Sequence, residues 1–207
     1  MIRCFEFYTL DGGSVVIKDI KLTGERIVSI PLFSNMSVEE AETLLQITDI
    51  AIYKENELIF KEGTPGTTLF VILEGTVDII KQAEEGSFKT LARFQPYTAF
   101  GEIAILFDGD ALRTASAIAR ERTRLLTLHK EDYAKLLDFG SILAYKIAFS
   151  ISRILAARLS RVDQDLVRLM SMADESTKLV LDEIQQKKIQ AIAVEGRKLG
   201  FPRRKED

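Results

Sequence analysis

Seven short runs rich in β-branched and aromatic residues recur between residues 50 and 128, at 50–53, 58–60, 68–73, 76–80, 89–94, 114–119 and 124–128. Turn residues separate them: Asn56, Gly63, Pro65-Gly66, Gly75, Gly86 and Pro96. Short strands at such regular spacing specify a sandwich or barrel-like all-β unit. Gly75, between two of the runs, marks a tight turn that needs positive φ. One helical turn over 102–107 is expected to interrupt the β unit.

The flanks read differently. Residues 1–30 alternate apolar and polar around Gly12-Gly13 and Gly24, with a strand at 14–20 and its hairpin partner at 5–10. Ser37 followed by Glu40 forms a capping box that opens a helix reaching about Ile47. After Leu128 the period becomes helical. A short helix covers 131–138 and ends near Gly140, and a long one runs from Ser141 to about Met172. Along the long helix Ala148, Ser152, Leu155, Leu159, Val162, Leu166, Leu169 and Ala173 stand alternately four and three residues apart, apolar throughout from Leu155. That is a heptad seam. About 30 helical residues span about 45 Å, so the stretch 162–169 is expected to meet a partner helix, most economically that of a second chain. Residues 174–195 form another helical stretch, and the basic tail from Gly196 to Lys205 reads as a solvated terminus. The expected divisions are a β-rich extension (1–30), the β unit (31–140), the long helix (141–173), and a C-terminal helix with its tail (174–207).

Composition narrows the chemistry. Hydrophobic content is 46%, charged content 29% and net charge -3, as for a soluble cytosolic protein. The charge argues against non-specific nucleic-acid binding. No apolar run is long enough for a membrane helix. The first eleven residues carry Arg3, Glu6 and Asp11 with no cleavage pattern, so a secretory signal is not expected. Cys4 and His129 are the only residues of their kinds, which excludes disulfide frameworks and Cys/His metal sites within one chain. Any histidine-dependent nucleophile would have to use His129, which is expected at a strand end as a boundary residue. A Gly-Lys-Ser/Thr phosphate loop is absent.

One stretch looks chemical: Phe100-Gly101-Glu102-Ile103-Ala104-Ile105-Leu106, followed by Arg113-Thr114-Ala115. A carboxylate can accept from a sugar hydroxyl, and an arginine fork can hold a phosphate. The short helix after Gly101 would turn free N–H groups toward the loop, which favours an anion. Arg113 in an apolar strand would be costly unpaired. It therefore calls for an anionic ligand or, failing that, a buried pair with Glu102. Asp108 and Asp110 also allow a metal-dependent hydrolase or transferase, but no suitable base beyond His129 accompanies them, so a binding module is the better reading.

Taken in order, these pieces resemble the cyclic nucleotide-binding domain shared by catabolite-activator-type regulators, protein kinase A regulatory subunits and cyclic nucleotide-gated channels. The resemblance covers about residues 30–170. It is carried by Glu57-Leu58-Ile59-Phe60-Lys61-Glu62-Gly63, by Gly66-Thr67-Thr68-Leu69-Phe70-Val71-Ile72-Leu73-Glu74-Gly75-Thr76-Val77, by Phe100-Gly101-Glu102-Ile103-Ala104 and by Arg113-Thr114-Ala115. It implies an α+β fold: an antiparallel, jelly-roll-like β-roll flanked by helices, with a long C-terminal helix. It implies a phosphate-binding cassette in which Glu102 accepts from the ribose 2′-hydroxyl and Arg113 pairs with the cyclic phosphate. Thr114 would add hydroxyl and backbone donors, Gly101 would let the backbone approach the ribose, and Ile103 and Ala104 would sit in the cassette helix. Arg153, Leu155, Arg158 and Leu159 would lid the base.

The implied ligand is cAMP or cGMP, with no metal. The implied function is a cytoplasmic regulatory sensor rather than an enzyme, in which ligand binding moves the C-terminal helices. The implied partner is a second copy, paired through Leu155, Leu159, Val162, Leu166 and Leu169. A ligand-free dimerisation module of the same fold, or a sensory fragment of a larger signalling protein, are the alternatives. The stretch after Met172 is shorter than the helix-turn-helix unit of such transcription regulators and lacks its two-helix pattern, so neither DNA nor membrane is an expected partner. The sequence departs from the family's pattern at Leu112, where proline is usual before the arginine, and at Asn56 and Tyr97, where glycine is usual. Its cassette loop, 107–111, is also longer than is common.

Overall fold

The structure is a computed structural model. It describes the backbone of residues 5–9 and 15–19, and residues 22–82, 86–107, 111–172 and 182–188 in full. The chain divides into two compact units, Met1–Ile154 and Leu155–Asp207.

The first unit contains an antiparallel β-roll of two four-stranded sheets. One sheet has the order β3 (Thr48–Tyr53), β10 (Thr123–His129), β5 (Thr68–Glu74), β8 (Ala99–Phe100). The other has the order β4 (Leu58–Phe60), β9 (Ser116–Ala119), β6 (Val77–Gln82), β7 (Phe88–Phe94). Each of the seven runs read from the sequence falls on a strand, with ends shifted by up to two residues. The eighth strand, β8, has only two residues, too few to show a period. It exists because Phe70 and Val71 of β5 pair with Phe100 and Ala99. A separate antiparallel hairpin joins β1 (Phe5–Thr9) and β2 (Val15–Asp19).

Strand register decides which side chains meet. In the second sheet Ile79 pairs with Ala117, and Ala117 with Phe60, so these share the inner face. Asp78 pairs with Ile118, and Ile118 with Leu58, on the outer face. The inner faces enclose a core of Phe70, Ile72, Val77, Phe100, Ala117 and Leu125, with Phe60, Ile79 and Phe94 packed against it. Phe70 and Phe100 stack at 5.2 Å between centroids, and Phe60 lies 5.8 Å from Phe70 and 5.9 Å from Phe100. Gly75 takes the expected positive φ, +86°.

Helices flank the roll. A short one, α1 (Gly24–Val28), lies within the stretch read as β-rich. It forms because Ile27 is fully buried and the Gly24 N–H donates to Glu42 Oε1 at 2.6 Å. Helix α2 (Val38–Leu45) opens on Ser37 with the complete capping box: Glu40 N–H to Ser37 Oγ, and Ser37 N–H to Glu40 Oε2. Helix α3 (Ile103–Leu106) interrupts the roll where the single turn was expected. Helix α4 (Lys130–Asp138) is followed by α5 (Ile142–Met172). Up to Ile151 α5 buries Leu143, Ala144, Ile147, Ser150 and Ile151, a helical stripe. Lys146 Nζ meets Glu40 at 2.6 Å, tying α5 to α2.

Along the expected seam of α5, Ala148 is half-buried and Ser152 exposed; Leu155 and Leu166 are half-buried, and Leu159, Val162 and Leu169 are exposed. Ala173, most of 174–195 and the basic tail lie outside the described residues, apart from a helix over 182–188.

The outer face of the second sheet carries a buried acid, Asp78, held by arginines from two neighbouring segments. Arg93 donates through Nε at 2.7 Å and Nη2 at 3.0 Å, and Arg120 Nε lies 3.2 Å away. Hydrogen bonding from Arg93 holds the Asp78 carboxyl below the usual aspartate value; burial opposes this, and the charges of Arg93 and Arg120 add to it. The unfolded chain therefore binds this proton more tightly than the folded one. The network stabilises the fold above the ordinary aspartate pKa of about 4 and loses that contribution as pH falls through the lowered folded value. Asp78→Asn is expected to lower the thermal midpoint at pH 7, with the gap to wild type closing as the pH is taken below about 4. A gap that stays constant down to acid pH would contradict this account.

Candidate functional site

The site is built where β8 ends and α3 begins. The pairing of β8 to β5 delivers Gly101 and Glu102 to the edge of the aromatic core. Gly101 has φ +74°, the left-handed region that glycine enters without strain. A Cβ there would also come within 3.0 Å of the Thr68 carbonyl oxygen. Glu102 is buried at the N-cap of α3; Ile103 is half-buried and Ala104 buried in the first turn. The Ala104 N–H donates back to the Gly101 carbonyl at 3.2 Å and the Ile105 N–H to the Glu102 carbonyl at 3.3 Å, so two of the donors expected to face the loop are turned into the helix.

Arg113 returns the chain to the same place. Residues 63–66 pair with 111–113 as an antiparallel clasp: Gly63 N–H to Arg113 O, Arg113 N–H to Thr64 O and Gly66 N–H to Ala111 O, each at 2.8 Å, around the bridge between Pro65 and Leu112. This directs the Arg113 side chain inward, where it is 8% exposed. Its guanidinium lies over the Phe60 ring at 4.2 Å and near Phe70 at 5.6 Å, a cation–π arrangement strengthened by burial. Nη2 donates to the Thr68 carbonyl at 2.9 Å and Nη1 to the Gly101 carbonyl at 3.3 Å. Nε is buried without a hydrogen-bond partner. Burial pushes the guanidinium below its ordinary pKa, while the charge of Glu102, and then that of Tyr53, pull it back. It remains a cation.

Glu102, Gly101, Ala104 and Arg113 are thus brought together as the sequence suggested. Thr114 is exposed beside them, and its carbonyl accepts from Lys81 Nζ at 3.3 Å. Arg153 is exposed on α5, and Arg158 lies on the same helix in the second compact unit. Asp108 and Asp110 lie outside the described residues. His129 is exposed at the end of β10, as expected, with Nδ1 3.1 Å from Thr68 Oγ1. Asn56 and Tyr97 both adopt positive φ, 61° and 69°, so the two non-glycine residues keep the left-handed conformation. The sequence reading missed Phe60, Phe70 and Gly66, which form the bed for Arg113. The phenylalanines looked like ordinary strand residues, and Pro65-Gly66 looked like a plain turn.

Residues 51–138 match the family model of the cyclic nucleotide-binding domain. The chain carries a domain of that family. The Cyclic AMP receptor protein of Thermus thermophilus is 34% identical to this chain over 136 residues, which are 66% of this chain and 60% of that protein. The crystal structure of the Thermus thermophilus Catabolite Activator Protein has a TM-score of 0.59 at 32% identity, covering 67% of this chain and 62% of that one. A cyclic nucleotide-binding domain from Methylobacillus flagellatus has a TM-score of 0.62 at 25% identity, covering 73% of this chain and 84% of that one. The chain spans 60% of the length of the receptor protein, and 37% and 16% of two potassium channel proteins to which it is also similar.

In the cyclic nucleotide-binding domain of this chain, Arg113 points to the inner side of the second sheet. A groove of about 800 Å³ opens on the opposite, outer side, lined by Leu58, Asp78, Ile80, Ser116 and Ile118 among others, and is separate from the cassette. Among the described residues no group of three or more His, Cys, Asp or Glu is placed to hold a metal ion. No helix among them is long and apolar enough to cross a membrane. Gly101→Ala, which meets both a left-handed backbone and the Thr68 carbonyl, is expected to lower the unfolding free energy by about 1–3 kcal/mol in urea titration. An unchanged midpoint would show that neither constraint operates.

Proposed function

We propose that this chain is a regulatory module that binds cAMP or cGMP through Glu102 and Arg113 and passes the event to its C-terminal helices. The observation that carries the reading is the buried Arg113 cation, set beside Glu102 in a domain of the cyclic nucleotide-binding family. A cyclic phosphate carries one negative charge and accepts charge-assisted hydrogen bonds more strongly than a carbonyl does. The residues fit such a ligand. Arg113 has one buried donor without a partner and two more engaged only by neutral carbonyls. Glu102 stands next to Gly101 as an acceptor for a ribose hydroxyl, and Thr114 is exposed nearby. Arg153 and Arg158 are the lid candidates, able to stack on a purine.

Coupling is supported by α4. The Lys130 backbone N–H donates to the Thr67 carbonyl at 2.8 Å, and its Nζ to the carbonyl of Phe107, at the end of α3, at 2.7 Å. A displacement of the cassette helix therefore reaches the start of α4 directly, and α5 follows after Gly140. The ligand can shift this equilibrium only by its different affinity for the two arrangements.

Isothermal calorimetry with cAMP and with cGMP tests the site. Wild type is expected to bind at least one of them, and Arg113→Ala to weaken it by about tenfold or more, the worth of a hydrogen bond to a charged group. Binding of neither nucleotide would overturn the sensor reading; binding indifferent to Arg113→Ala would overturn the site assignment.

The exposure of Leu159, Val162 and Leu169 on the seam of α5 supports a homodimer paired through that helix, together with Leu155 and Leu166. Sedimentation equilibrium is expected to give the mass of a dimer for wild type and of a monomer for the double variant Leu159→Glu, Leu166→Glu. An unchanged mass would rule out this seam as the contact.

A further inference from the structure

We propose that Gly66 is a positioning residue for Arg113: the space left by its missing side chain is the slot in which the guanidinium lies. Nothing in the backbone at Gly66 calls for glycine, because its φ is outside the left-handed region that marks Gly63, Gly75 and Gly101. The requirement comes from what surrounds it. A Cβ at Gly66 would stand 2.8 Å from Arg113 Nε and 2.9 Å from Arg113 Cζ, with the Cβ of Ala104 at 3.1 Å. The three nearest atoms therefore belong to the arginine and to the first turn of α3. A side chain at 66 would enter between the cassette helix and the guanidinium.

The clasp between 63–66 and 111–113 makes that conflict specific. The Gly66 N–H donates to the Ala111 carbonyl at 2.8 Å and Arg113 N–H to Thr64 O at 2.8 Å, so neither backbone can back away without breaking a hydrogen bond. The movable partner is the far end of the Arg113 side chain. Its hold there is made of one carbonyl at 2.9 Å, one at 3.3 Å, the Phe60 and Phe70 rings and the charge of Glu102. Gly66→Ala thus leaves the chain free to fold and forces the guanidinium off the Thr68 carbonyl. Gly101 offers a contrast, because a Cβ there meets the Thr68 backbone oxygen as well as Arg113 Nη1, and backbone cannot swing aside.

This role rests on the cyclic nucleotide reading only for its effect on a ligand; the placement of Arg113 itself is independent of any ligand. The first measurement uses the ligand-free chain. The Arg113 Nε–H resonance in a ¹⁵N–¹H spectrum, identified by its disappearance in Arg113→Lys, is expected to exchange slowly with water in wild type, and to shift and exchange fast in Gly66→Ala. An unchanged resonance would overturn the proposal. The second measurement titrates cAMP and cGMP. Gly66→Ala is expected to weaken whichever nucleotide wild type binds by about tenfold and to have no further effect in an Arg113→Ala background. Additive losses would show that Gly66 acts by another route and would overturn the proposal. Should Gly66→Ala fail to fold, Gly66→Ala with Arg113→Ala must restore folding, since the two nearest atoms are then gone; continued misfolding would overturn it. Absence of nucleotide binding in wild type would sink the sensor reading and leave the resonance test to decide this one.

Discussion

A guanidinium among phenylalanine rings sets the terms for everything around it. Arg113 is buried, and a buried charge is tolerated only where hydrogen bonds and opposite charge replace its water. Here the replacements come from parts of the chain far apart in sequence. The Thr68 carbonyl starts β5, the Gly101 carbonyl follows β8, the Phe60 ring ends β4, and the charge of Glu102 lies at the head of α3. The roll must close before any of these can meet. The cassette is therefore as much a product of the β-roll as a loop carried on it.

The same dependence explains why the site has two kinds of glycine. Gly101 answers a backbone demand, a left-handed turn pressed against another strand. Gly66 answers a side-chain demand, room for one cation. Both sit within reach of the same guanidinium, one at Nη1 and the other at Nε. Arg113 is thus placed by what its neighbours lack as well as by what they donate. Outward from this point, Lys130 bonds the end of α3 to the start of α4, so α4 is in direct contact with the element that carries Glu102.

Legibility in the sequence followed chemistry and period. Glu102 and Arg113 stood out because a carboxylate and a guanidinium beside a glycine have few ordinary uses in a β-rich stretch. The capping box at Ser37 and the break at Gly140 were readable because each is a local rule satisfied by a few adjacent residues. β8 was missed because two residues carry no period; it is made by its partner strand. The aromatic bed was missed because Phe60 and Phe70 serve the core with the same side chain that serves the arginine. The α1 helix was missed because five residues around a glycine look unlike a helix until Ile27 has something to bury against.

The sequence by itself determined the alternation of short strands and turns, the switch to helical period after Leu128, and which carboxylate and guanidinium, Glu102 and Arg113, stand as the candidate pair. These follow from local periodicity and from the cost of burying charge, both of which are properties of neighbouring residues. Only the tertiary structure decided that Arg113 turns inward, which carbonyls hold it, and that Gly66 leaves it room. Those outcomes depend on the register of strands remote in sequence, and register is settled by packing the two inner faces against each other.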